Sequence, residues 1–195
     1  MNYSMIAYIT GWVLKVEAAF LILPCIVALL YREEEIRAFL LSILICGGTG
    51  LVLTRKRPGS TMFNIKDGYV TVALCWIVMS IMGALPFLFS GTITNPADAL
   101  FETVSGFTTT GASILTDVEV VSKCVLFWRS FTHWIGGMGV LVFLLAVLPL
   151  SGGSRIHLMR VESPGPSVGK LVPKLRQTAR ILYFIYFGLT AMQIL

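Results

Sequence analysis

The chain has 195 residues, of which 56% are hydrophobic and 13% charged, and a formal net charge of +5, with a mean hydropathy of +0.83. A soluble domain carries about 25% charged residues, so this composition excludes an ordinary soluble globule and points to an integral membrane protein. The positive balance does not imply a nucleic-acid partner, because the basic residues gather in two loops between apolar stretches, where Lys and Arg act as topology signals.

A helix rising about 1.5 Å per residue needs about 20 residues to cross about 30 Å of hydrocarbon. Five stretches meet or approach that length: 6–30, 36–53, 69–89, 120–150 and 179–195. The first lacks the basic start and small-residue cleavage pattern of a secretory signal peptide. It carries two charges, Lys15 and Glu17, which at a spacing of two do not face each other on a helix. Lys15 is expected to snorkel or to pair with a neighbouring helix. The fourth stretch is longer than one crossing needs, so it is expected to tilt, bend or project beyond the membrane. Cys25, Cys46, Cys75 and Cys124 show no CxxC spacing and are expected to be buried free thiols.

The loops orient these spans. Arg55, Lys56, Arg57 and Lys66 follow the second stretch, opposed only by Asp67. Arg155, Arg160, Lys170, Lys174, Arg176 and Arg180 follow the fourth, opposed only by Glu162. The remaining connections are acidic or balanced. Lys and Arg mark the cytoplasmic side, so the N-terminus is expected inside and the 90–120 connection outside. The Gly-, Ser- and Pro-rich 151–175 reads as a cytoplasmic linker between two membrane units.

Between the third and fourth stretches lies a segment with its own logic. Thr94 or Asn95 can cap a helix, Pro96 suits its first position, and Asp98 favours its first turn. Gly106 is a natural stop. Residues 96–105 make a helix about 15 Å long, half the hydrocarbon thickness, so it is expected to enter from outside and stop at mid-membrane. Its carbonyl end carries a partial negative charge that lowers the cost of a desolvated cation. Non-helical backbone at that depth must be buried in protein or line a watery cavity.

The chain then leaves through 107–113. Successive carbonyls point one way only where some residues depart from ordinary φ/ψ space, and Gly111 can. Thr108, Thr109 and Thr110 offer carbonyls, with hydroxyls for the surrounding wall. Nothing is ionised between Glu102 and Asp117, so selection would rest on dipoles, which suits a weakly hydrated monovalent cation. Arg129 is a candidate brace for this helix through Glu102 or Asp98, or else an interfacial anchor beside Trp128 and Trp134. His133 lacks companion ligands for a metal, and Gly136, Gly137 and Gly139 suit close helix packing. No HExxH, GxSxG or paired intramembrane acid motif suggests an enzyme, and no cofactor is expected.

Phe101-Glu102-Thr103-Val104-Ser105-Gly106-Phe107-Thr108-Thr109-Thr110-Gly111-Ala112, followed by His133-Trp134-Ile135-Gly136-Gly137-Met138-Gly139, resembles the Trk/Ktr/HKT superfamily of potassium transporters, in particular its TrkH/TrkG branch. The resemblance covers nearly the whole chain. It implies an all-α integral membrane fold with four span–pore loop–span repeats around a single pore. Residues 1–53 would be the leading transmembrane hairpin, 67–150 the first span–re-entrant pore loop–span repeat, and 176–195 the first span of an incomplete second repeat. The chain would then be an N-terminal portion bearing one of four filter segments.

On that pattern Thr109, Thr110, Gly111 and Ala112 form a quarter of a filter that holds potassium by backbone carbonyls, with Thr108, Glu102 and Arg129 in support. Some plant relatives carry Ser at the position of Gly111 and favour sodium, so Gly speaks for potassium. The resemblance also implies a bacterial cytoplasmic membrane, a cytosolic nucleotide-binding regulatory subunit and a homodimer. The competing expectation is a non-conducting membrane scaffold or remnant that binds partners through its basic loops.

Overall fold

Apolar side chains that recur through long uncharged runs leave the backbone one way to satisfy itself in lipid, the helix. In the computed structural model, residues 2–56, 58, 65–139 and 172–194 are described, and among them there are seven α-helices and no strand. α1 (Tyr3–Phe20) starts on Asn2, whose side chain accepts from Met5 N at 3.1 Å. α2 (Ile22–Tyr31) continues it after a break at Leu21. The break follows from Pro24, which has no N–H to donate and whose ring crowds the carbonyl of Phe20, four residues back. Leu21 N still donates to Glu17 O at 2.9 Å, so the two helices form one bent unit, Tyr3–Tyr31.

α3 (Ile36–Thr54) runs back along α1, and α4 (Ile65–Phe89) packs against both. Tyr3–Tyr31, Ile36–Thr54 and Lys66–Phe89 are long and apolar enough to cross a membrane. Hydroxyls within these helices bond back to the preceding turn: Ser42 to Ala38 O at 2.8 Å, Thr49 to Ile45 O at 2.7 Å and Thr71 to Asp67 O at 2.7 Å. These hydroxyls need no water, whereas Trp12 Nε1 and Glu17 Oε1 of α1 are buried without a hydrogen-bond partner among the described residues. Ile22, Ile26, Leu29, Leu30, Leu40, Leu41 and Leu44 are exposed, an apolar belt that fits lipid and would be a liability in water.

The expected fourth span, 120–150, begins as α6 (Lys123–Met138) and stops where Gly139 turns to φ +67; 140–150 lie outside the described residues. The linker expected at 151–175 also lies outside them up to residue 171. α7 (Val172–Ile194) starts within it, earlier than 176, with Pro173 in its first turn, where a missing N–H costs nothing. Between α4 and α6 sits the shorter α5 (Pro96–Phe107), in contact with both. The core runs through Leu14, Phe39, Phe87, Phe107 and Trp128, all essentially inaccessible.

Candidate functional site

α5 is built as its sequence requires at the start and otherwise at the end. Asn95 is the cap, its Oδ1 accepting from Ala97 N at 3.0 Å, with Pro96 next and Asp98 in the first turn. The helix does not stop at Gly106. It continues to Phe107, about 18 Å in all, and closes with Thr109 N donating to Gly106 O and Thr110 N to Ser105 O, both at 2.9 Å. That pair of bonds is a Schellman closure, whose left-handed residue is ordinarily glycine. Here it is Thr109, at φ +56. A β-branched residue there is strained, and such strain persists where the surroundings over-determine it.

Gly106 answers a different need. A Cβ on it would collide with Thr132 Oγ1 and lie 2.9 Å from Thr132 Cβ, while one on Gly136 would collide with Phe107 O. The C-terminal turn of α5 is thus pressed onto α6 at a separation only glycine permits on either side.

The segment after α5 is exposed from Thr108 to Ser113, a turn at Thr108 and Thr109 followed by residues in neither helix nor strand. Side chains of α5 fasten it. Ser105 donates to Ala112 O at 2.6 Å, and Thr108 Oγ1 bonds Val104 O at 2.7 Å and lies 2.8 Å from Thr110 Oγ1. Glu102, 1% exposed, is the centre of the arrangement. Ser113 Oγ donates to its Oε1 at 2.9 Å and lies 3.1 Å from Oε2, Ile114 N donates to Oε2 at 3.0 Å, and Arg129 Nε of α6 donates to Oε1. Of the two acids considered for Arg129, Glu102 is the one it meets. Gly111 stands at φ +78 with open space where a Cβ would point.

α6 is held in turn. Trp128 Nε1 donates to Gly83 O of α4 at 2.9 Å, and Thr132 and His133 donate to Arg129 O at 2.6 and 3.0 Å. Its far end meets α7 through Trp134 Nε1 to Thr190 Oγ1 and Tyr186 OH to Trp134 O, each 3.1 Å. Its first turn is capped from a distance: Glu33, between α2 and α3, accepts from Lys123 N at 2.7 Å and Cys124 N at 2.9 Å. Partial burial would raise the Glu33 carboxyl. The Cys124 thiol, the two amides and the Lys123 charge outweigh it and hold the group below its usual range.

Glu33, Glu35 and Cys124 offer three ligand-type atoms within 4.8 Å of one another. Both Glu33 oxygens are committed to the positive end of a helix, however, so the group is a cap rather than a cation cage. All four cysteines are buried thiols outside any disulfide. Lys15 lies over the Trp12 ring, 4.6 Å from its centroid, and Glu17 is buried and accepts from Cys46 Sγ at 3.7 Å. Sequence reasoning missed Glu33, Ser105, Ser113 and Thr132, for which spacing offers no signal.

A family model described as TrkH, cation transport protein, matches residues 33–195. The Trk system potassium uptake protein TrkH of Halomonas elongata is 35% identical over 97% of this chain and 40% of its own length, and that of Escherichia coli K12 is 37% identical over the same shares. The crystal structure of the potassium transporter TrkH from Vibrio parahaemolyticus matches with a TM-score of 0.77 at 31% identity, over 98% of this chain and 38% of the other. The chain therefore spans about two fifths of the length of the relatives it matches, and it belongs to the TrkH family of cation transport proteins.

Proposed function

We propose that this chain supplies the N-terminal part of a potassium-uptake transporter, with one of the four segments of a carbonyl-lined selectivity filter. α5 enters the membrane from outside as a half-span, and Thr109, Thr110, Gly111 and Ala112 turn their carbonyls to the ion. The observation that carries this reading is the pairing of positive φ at Thr109 and Gly111 with fastening of the same segment to α5 by Ser105 and Glu102. Alternating departures from ordinary backbone geometry let neighbouring carbonyls share a direction, and a filter must resist collapse onto a smaller ion. The negative end of α5 adds a favourable potential. Ala112 O already accepts from Ser105, so its remaining lone pair is the one free for an ion.

The transported ion is the one named for the relatives. The membrane would be the bacterial cytoplasmic one, with the N-terminus inside by the distribution of Lys and Arg. A homodimer and a cytosolic nucleotide-binding regulatory subunit belong to the same reading and rest on family resemblance. The test is Gly111→Ser in the complete gene product. Its added Cβ strains a position at φ +78, and discrimination of rubidium or potassium over sodium in uptake assays is expected to fall about tenfold or more. Unchanged discrimination in a well-expressed variant rejects the filter assignment.

A further inference from the structure

The N-terminal hairpin, α1 to α3, has no part in the segment that would contact the ion, yet it touches the helix that braces it. α2 closes in a Schellman motif with Arg32 at φ +57 as its left-handed residue. Glu33 N donates to Ala28 O at 2.9 Å and Arg32 N to Leu29 O at 3.4 Å. The backbone of Glu33 is thereby fixed to the end of α2 rather than left in a free loop.

Its side chain reaches across the chain to the start of α6. Ser122, the residue placed to cap that helix, makes no side-chain cap bond. Each Glu33 oxygen instead takes one amide of the first turn. A carboxylate at a helix N-terminus makes charge-assisted bonds and meets the positive end of the dipole. About 9 Å further along α6, Arg129 holds Glu102, and Glu102 holds Ser113 and Ile114. α2 also packs along α6, and Phe20, the last residue of α1, meets Phe131 edge to face at 5.4 Å. Sideways contact of this kind resists separation but tolerates sliding. The two amide bonds at the helix end oppose motion along the axis.

We propose that Glu33 is a positioning residue for the filter, setting the height of α6 along its axis and, through Arg129 and Glu102, the place of the segment that leaves α5. The leading hairpin is then a mechanical reference for the pore. This rests on the filter reading above, and the two can fail separately.

The experiment compares Glu33→Gln, Glu33→Asp and Lys123→Pro in the complete gene product, reading rubidium over sodium uptake alongside protein in the membrane. Gln presents an amide N–H₂ to one of the two amide donors. Asp keeps both acceptors on a shorter arm. Proline at 123 deletes one of the two donors from the other side, at a helix position it suits. Ser122, at φ −57 and ψ 145, already has the extended geometry a residue before proline prefers, so the backbone takes this proline without strain and the contact is removed a second way. The Gln and Pro variants are expected to lose up to about tenfold in discrimination at undiminished protein level, and the double variant to be no worse than the worse single. Asp should fall between wild type and Gln.

Full discrimination with only a reduced protein level would make Glu33 a folding contact and overturn the proposal. Additive losses in the double variant would do the same. Gly111→Ser measured in parallel separates the two readings: if it alone shifts selectivity, Glu33 fails and the filter stands, and if it shifts nothing, both fall.

Discussion

Gly106 and Gly111 lie in one short segment, yet their missing side chains answer different needs. Gly106 is helical and crowded by Thr132; Gly111 is uncrowded and held at φ +78. Alanine at Gly136 is expected to be the most disruptive of the series. The obstacle is the Phe107 backbone, 2.8 Å from a new Cβ at its carbonyl carbon, so no side chain can yield. Gly106→Ala meets the Thr132 side chain and should cost about 1–3 kcal/mol, as overpacking does. Gly111→Ala should cost about 1–2 kcal/mol for left-handed backbone alone. Gly48→Ala, with nothing within 4 Å in a helix, should be neutral or stabilising by up to about 1 kcal/mol. Thermal unfolding of the purified protein ranks them, and a Gly106→Ala as mild as Gly48→Ala would remove the close-packing argument. The sequence told these glycines apart in part: Gly111 leaves ordinary φ/ψ space and Gly136 allows close packing, as expected of them. Gly106, expected as a helix stop, is instead a second close-packing position. The residue that takes the left-handed position, Thr109, is of a type that avoids it.

At the scale of elements, α5 and α6 are joined through one carboxylate with three donors on it, and that number decides what mutations should do. A pairwise view of Arg129 and Glu102 expects charge reversal at both to restore what either reversal alone destroys. Arginine at position 102 has no acceptor, however, so Ile114 N and Ser113 Oγ would lose their partner. A buried amide left unpaired costs about 1–3 kcal/mol. Glu102→Arg with Arg129→Glu is therefore expected to remain defective in uptake. Glu102→Gln, which keeps one acceptor oxygen, should be milder than Glu102→Ala. Recovery of near-normal uptake by the reversed pair would show that the salt bridge alone matters. Much of this level was legible. The three apolar spans, the Asn95 and Pro96 start of α5 and Arg129 as a partner for its acidic face all follow from local patterns. Glu33 does not, because its two amides are 90 and 91 residues away, and a capping bond over such a separation leaves no periodicity to read.

For the whole molecule, topology turns on whether α5 crosses the membrane or returns. The contact of Glu33 with Lys123 and Cys124 puts the 32–35 connection and the start of α6 on one face. At about 18 Å, α5 is too short for a hydrocarbon layer of about 30 Å, and the segment after it is fastened back onto α5 rather than carried onward. A returning α5 leaves α4 as the sole crossing between Lys56 and Thr116, so these residues should face opposite sides; a crossing α5 would return them to the same side. Both are exposed, and all four native cysteines are buried, so single cysteines at these positions can be read against a quiet background. Thr116→Cys is expected to react with a membrane-impermeant maleimide in intact spheroplasts, and Lys56→Cys only after permeabilisation, on the proposed orientation in which the Lys- and Arg-rich connections are cytoplasmic. The opposite pattern would invert the orientation while keeping the half-span. Reaction of both from one side would mean that α5 and its following segment cross the membrane, and the carbonyls of Thr109 to Ala112 would then have no vestibule to face.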